Sequence, residues 1–375
     1  MKMKMIVLFL MFLIALPAIG RAVEQTIGNK LAPPGNYAYI GQFILDDEDL
    51  DAFILKTGST PAIVYFMCDW IRDQDWLANP KGPIPIELID EEIMSALRGI
   101  TDKGIIPAIG WGIAPLVYWD IPPENVRYMP NIPRILSGEF DKYIAATARQ
   151  LKEYGDPILM TPLVEIDNYS EYSFGKTGLE SSESFDAKNL VDQYGNPDWP
   201  DGPERVHDMF IHIIDIFRRE GADNVSWFMY ANTEFQEPGT EGSVWWNHPK
   251  YYYPGDEYID WVGKSMLFKN TEDFKDKFEA AYDAWGEVTK RPFIIPEFNM
   301  LEDRKSRSEI IREIFSDYLP TKPRLKLVFF HDTLIKVDWV VPLTGWKGEF
   351  PDEILAWEEA VVNNPYYRKR VIIQK

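Results

Sequence analysis

Eight short apolar runs, separated by amphipathic stretches, set the tightest limit on what this chain can fold into. The runs are Tyr37–Phe43, Ala62–Cys68, Ile105–Trp111, Ile158–Glu165, Val225–Ala231, Ile259–Ser265, Phe293–Glu297 and Leu325–Phe330. Each has the length of a buried strand, is rich in Val, Ile and aromatic residues, and lacks a polar face. Helical periodicity is predicted between them, over Glu87–Lys103, Phe140–Tyr154, Glu204–Glu220, Glu272–Trp285, Arg307–Tyr318 and Glu353–Val362. Asp201-Gly202-Pro203 reads as a cap and first turn for the third of these, and Ser306 and Glu309 have the spacing of a capping box. Eight strand–helix alternations predict an α/β fold, a (β/α)8 TIM barrel with enlarged loops after strands four and five. A doubly wound open sheet also alternates, but its Gly-rich turn after the first strand is missing: Gly41 is followed by Gln42 and Phe43. No Ser/Gly linker or abrupt charge shift interrupts the pattern, so residues 23–375 read as one barrel domain.

Residues 1–22 read as a secretory signal peptide. Lys2 and Lys4 precede the apolar run Ile6 to Leu16, and Pro17-Ala18-Ile19-Gly20-Arg21-Ala22 supplies small residues for cleavage. The run is shorter than the ~20 residues of a membrane span. Export is therefore expected, with no stable membrane insertion after cleavage and retention at the cell surface if the segment stays. The single cysteine, Cys68, forms no internal disulfide and excludes Cys-based zinc and iron–sulfur sites. With 39 basic and 59 acidic residues the net charge is -20, which argues against nucleic acid and anionic membrane as partners. No H-E-x-x-H zinc motif and no G-x-S-x-G serine elbow occur, and Asp46 to Asp51 lacks the spacing of a calcium loop.

Reacting groups of such a barrel sit where the strands end. Two of the runs end in carboxylates, Pro162-Leu163-Val164-Glu165 and Phe293-Ile294-Ile295-Pro296-Glu297. A charge closing an apolar run is costly unless it is paired or solvated. Strands four and seven lie roughly opposite each other across the mouth, so these carboxyls can face each other over a bound sugar. Retaining glycosidases need two carboxyls ~5–5.5 Å apart, and inverting ones ~6.5–9.5 Å. Aromatic residues make up 14% of the chain, and many fall in the long stretches after strands four and five. Trp70, Trp111, Tyr169, Trp245, Trp246 and Tyr253 are candidate sugar-contacting aromatics, with Asn232 and His331 as candidate polar contacts.

The segment Tyr252-Tyr253-Pro254-Gly255-Asp256-Glu257-Tyr258-Ile259-Asp260-Trp261-Val262-Gly263 resembles the strand-six signature of glycoside hydrolase family 26. Ser137-Gly138-Glu139-Phe140-Asp141, Gly221 to Trp227 and Arg291 to Phe298 are also similar to that family. The resemblance implies a clan A barrel, with Glu165 as acid/base and Glu297 as nucleophile. It also implies hydrolysis of β-1,4-mannan, mixed-linkage β-glucan or β-1,3-xylan, and no cofactor. A monomer acting on a polysaccharide or oligosaccharide is expected. Two departures stand out. Val164 precedes Glu165 where the family carries His. Strand six continues as Gly263-Lys264-Ser265-Met266-Leu267, without the tyrosine that contacts the family's nucleophile. They leave a second reading open, a barrel that binds carbohydrate without turnover.

Overall fold

The computed structural model describes residues 31–44, 47–70, 88–113, 130–167, 194–232, 248–300, 307–331 and 351–371. Eight parallel strands close into a barrel: β1 (Ala38–Phe43), β2 (Ile63–Met67), β3 (Ile106–Gly110), β4 (Ile158–Thr161), β5 (Val225–Ala231), β6 (Trp261–Lys264), β8 (Phe293–Met300) and β9 (Leu325–His331). Each pairs with the next, and β9 pairs back with β1, Phe43 opposite His331. The expected (β/α)8 barrel is thus the observed one. Two short strands are added. β7 (Met266–Phe268) pairs with the far half of β8, and β10 (Tyr367–Arg368) extends β1 outside the ring.

Side chains alternate across each strand. One set fills the barrel interior: Tyr39, Phe43, Ile63, Tyr65, Ala108, Leu159, Phe228, Tyr230, Trp261, Ile294, Leu327 and Phe329 pack as one buried cluster. The other set, including Ile109, Met160, Trp227, Met229, Val262 and Ile295, packs outward under the helices. Those helices are α1 (Asp47–Thr57), α2 (Glu91–Asp102), α3 (Ile132–Leu136), α4 (Asp141–Tyr154), α5 (Asp201–Glu220), α6 (Thr271–Val288), α7 (Arg307–Arg312) and α8 (Pro351–Trp357). Local chemistry sets several of their starts. Asp90 accepts from Ile93 N ahead of α2, and Asn270 accepts from Asp273 N ahead of α6. Among the described residues no helix is long and apolar enough to cross a membrane. The signal-peptide reading and the Ser306 capping box lie outside the described residues.

Several boundaries differ from the sequence reading. β4 ends at Thr161, not Glu165, because Pro162 cannot donate to the ladder and the chain turns there. α5 begins at Asp201, so Asp201-Gly202-Pro203 forms its first turn rather than preceding it. The sixth run yields β6, which stops at Lys264, and β7 begins at Met266, beyond the end of the run.

The strand-six signature is architectural. Tyr253 Oη donates to Asp256 Oδ1 at 2.6 Å, and Thr289 Oγ1 donates to the same oxygen at 2.6 Å. Trp227 N donates to Asp260 Oδ2 at 2.9 Å, and Trp285 Nε1 donates to Gly263 O at 3.0 Å. A Cβ on Gly263 would stand 2.0 Å from the Ile294 carbonyl oxygen, so only glycine lets β6 approach β8 this closely. Gly263→Ala is expected to destabilise the protein by about 3 kcal/mol or more in denaturant unfolding. A loss under about 0.5 kcal/mol would contradict the close strand contact.

Candidate active site

Glu297 stands on an irregular stretch of β8. Ile295 pairs with Val328 and Phe298 with Phe330, so β8 carries one residue more than β9 across Pro296-Glu297. Such a bulge re-aims a side chain, and here Glu297 meets the barrel mouth. Tyr230, the last inward residue of β5, donates its hydroxyl to Glu297 Oε1 at 3.0 Å.

Glu165 is placed by the turn that follows β4. Thr161 Oγ1 donates to Leu163 O at 2.9 Å and tightens this turn. Glu165 itself has φ +52°, and no other non-glycine residue among the described ones has a positive φ. That backbone costs about 1–2 kcal/mol for a residue with a Cβ, and such strain collects at functional sites. The next residues hold it. Asp167, fully buried, accepts from Asn232 N at 2.7 Å, and Lys264 donates to Asn232 O.

The two carboxyls share surroundings. Ser265, buried on the break between β6 and β7, lies close enough to favour the charged form of both Glu165 and Glu297. Burial, followed by the charges of Glu297 and Asp167, pushes the Glu165 carboxyl well above the usual range, against smaller opposing effects of Ser265 and Lys264. Burial also raises Glu297, but the Tyr230 and Ser265 hydroxyls hold it to about 7. The two carboxyls are therefore unequal, and Glu165 is the stronger proton holder. A carboxylic acid facing a carboxylate can donate a proton to a leaving group on one side and attack carbon on the other.

The remaining candidates divide. Trp70 and Trp111 were expected to stack on sugar, and this is corrected: both indoles are fully buried. Their ring centroids lie 4.8 Å apart, and Trp111 stacks 5.5 Å from Tyr143 of α4 and meets Phe217 of α5 edge-on at 5.9 Å. The reason is parity, because both fall on the outward-facing register of β2 and β3. Tyr253 is corrected too: it belongs to the Asp256 box and packs 5.9 Å from Trp285, with its hydroxyl committed. Asn232 contacts Asp167 and Lys264, in both cases through its backbone. His331 ends β9 at the mouth; its side chain lies outside the described residues, as do Tyr169, Trp245 and Trp246. Tyr230, Ser265 and Asp167 were missed. Alternation along Val225–Ala231 was the available signal for Tyr230, which shares the inward register of Phe228.

The raised carboxyls make stability depend on pH in a definite direction. Between the ordinary value of 4.5 and about 7, the folded chain keeps a proton on Glu297 that the unfolded chain releases, and Glu165 extends the window upward. Stability contributed by these groups is therefore full below about 4.5 and declines as pH rises through the window. Glu165→Gln is expected to be more stable than wild type by about 1–3 kcal/mol at pH 8, and nearly equal at pH 4, in thermal or denaturant unfolding. A variant less stable than wild type at pH 8 would contradict the electrostatics.

No protein-family model matches the chain. Endoglucanase H of Acetivibrio thermocellus is 24% identical over 372 residues, which is 96% of this chain and 34% of that protein. The chain thus spans about a third of the length of this curated relative. Solved structures share the fold. A Bacillus subtilis mannanase matches with a TM-score of 0.54 at 16% identity, covering 89% of this chain and 88% of its own. A family 26 β-mannanase of Bacteroides ovatus matches with a TM-score of 0.53 at 13% identity, covering 91% and 92%. The family 26 domain of a Prevotella bryantii endo-β-mannanase/endo-β-glucanase matches with a TM-score of 0.52 at 16% identity, covering 89% and 90%. The chain carries the barrel fold of these family 26 structures, and the resemblance to glycoside hydrolase family 26 read from Tyr252 to Gly263 holds, in fold, along nearly its whole length.

Proposed function

We propose that the protein is an exported, retaining endo-β-glycosidase acting on a neutral polysaccharide, mannan-type or a related β-glucan or xylan. The observation that carries this reading is the carboxyl pair of Glu165 and Glu297. Glu165 follows the fourth barrel strand and Glu297 stands on the seventh, and the two are split in proton affinity. Glu297 attacks the anomeric carbon as the glycosidic C–O bond breaks, and the leaving oxygen takes the Glu165 proton. Glu165, now a carboxylate, then removes a proton from water. The water oxygen bonds to the anomeric carbon, and the ester bond to Glu297 breaks. The names of the relatives, mannanase and endoglucanase, support a β-linked neutral substrate, and the acidity of the chain disfavours polyanionic sugars. The basic and apolar N-terminal segment supports export.

A barrel that binds carbohydrate without turnover is the competing reading, and Val164 favours it. This side chain is buried among apolar neighbours of the barrel interior where the family supplies a histidine.

Turnover on mannan, β-glucan and xylan separates the two. Wild type is expected to cleave at least one of them, with Glu297→Gln reducing kcat/KM by about 10³-fold or more. Activity is expected to rise as Glu297 loses its proton near pH 7 and to fall at higher pH as Glu165 loses its own. Tight oligosaccharide binding with no cleavage would establish the competing reading, and turnover surviving Glu297→Gln would remove Glu297 as nucleophile.

A further inference from the structure

Behind Glu297 the barrel interior holds a second tyrosine that the two-carboxyl chemistry does not call on. Tyr65, on β2, is fully buried, and its hydroxyl lies 3.0 Å from that of Tyr230. Proton bookkeeping gives this contact a direction. A phenol has one proton to donate. Tyr230 gives its proton to Glu297 Oε1, so the Tyr230 oxygen is left to accept, and Tyr65 is the donor.

The surroundings fix Tyr65 in that role. Its ring sits 4.9 Å from Phe43 and 5.6 Å from Phe228, both edge-on, and 5.4 Å from Phe329. Gly110 on β3 leaves the space its hydroxyl occupies: a Cβ there would stand 2.7 Å from Tyr65 Oη and 2.6 Å from Met67 Sδ. Strands β1, β3, β5 and β9 thus each help to set one phenol oxygen. A polar chain buried among aromatic rings is costly unless every member is satisfied, and this one is satisfied by ending on a carboxyl.

We propose that Tyr65 is a positioning residue for Glu297: by donating to Tyr230 it fixes the direction of a two-hydroxyl chain from β2 to β8 and keeps the Tyr230 proton on Oε1. Engaging Oε1 leaves the second carboxyl oxygen for bond formation. The consequence for rate rests on the reading of Glu297 as nucleophile; the consequence for the carboxyl itself does not.

The test uses Tyr65→Phe, Tyr230→Phe and the double variant in the full chain, each checked by thermal unfolding. Ionisation of Glu297 is followed by ¹³C NMR with labelled glutamate carboxyls, the resonance being assigned by its loss in Glu297→Gln, and kcat/KM is followed against pH. Tyr65→Phe is expected to move the Glu297 midpoint upward and to lower kcat/KM by about 2–10-fold. It is expected to add nothing further in the Tyr230→Phe background. A Glu297 midpoint unmoved by Tyr65→Phe, or a Tyr65→Phe effect that adds in full to that of Tyr230→Phe, overturns the proposal. If Tyr65→Phe does not fold, Gly110→Ala displaces the same hydroxyl and is judged by the same midpoint. If wild type cleaves no polysaccharide, the hydrolase reading fails while the titration still decides the role of Tyr65.

Discussion

Two carboxyls forced into one barrel mouth are mutually repulsive and poorly solvated, and the local structure around them reads as the means of tolerating this. Ser265 lies close enough to favour the charged form of both, Tyr230 donates a hydrogen bond to Glu297, and Lys264 lies close enough to oppose the rise at Glu165. What remains is a pair of unequal proton affinity. Burial raises both carboxyls, and unequal neighbouring charges and hydroxyls split them, so the asymmetry is a property of the surroundings the barrel supplies.

The backbone departs from regularity at the same places. β4 stops short so that Glu165 enters on a left-handed turn, β8 carries an extra residue beside Glu297, and strand six breaks at Ser265. Each irregularity aims one side chain at the mouth. Gly263 and Gly110 support the arrangement from inside, the first by letting β6 meet β8, the second by making room for Tyr65.

The ring of strands was legible because buried parallel strands are apolar on both faces and stand out as runs. The two glutamates were legible for the complementary reason, as the charges that close such runs. Aromatic roles were not legible from type alone. Trp70 and Trp111 look like stacking platforms by composition, yet one-residue alternation from Ile63 and Ala108 sends both outward under α4 and α5, whereas the same alternation brings Tyr230 inward. Tyr253 shows the opposite error. The most specific stretch of sequence turned out to be structural, a hydrogen-bonded box around Asp256. The break at Ser265 had no sequence signal.

The central claim is that Glu297 becomes covalently linked to the sugar while Glu165 handles protons. Incubation with an activated 2-deoxy-2-fluoro-β-mannoside or β-glucoside, followed by proteolysis and mass spectrometry, tests it most directly, because the fluorine slows breakdown of the intermediate. The account predicts one added glycosyl mass, located on the peptide that contains Glu297 and absent from Glu297→Gln. An adduct on another residue, or cleavage of natural substrate with inverted anomeric configuration and no adduct, would contradict it.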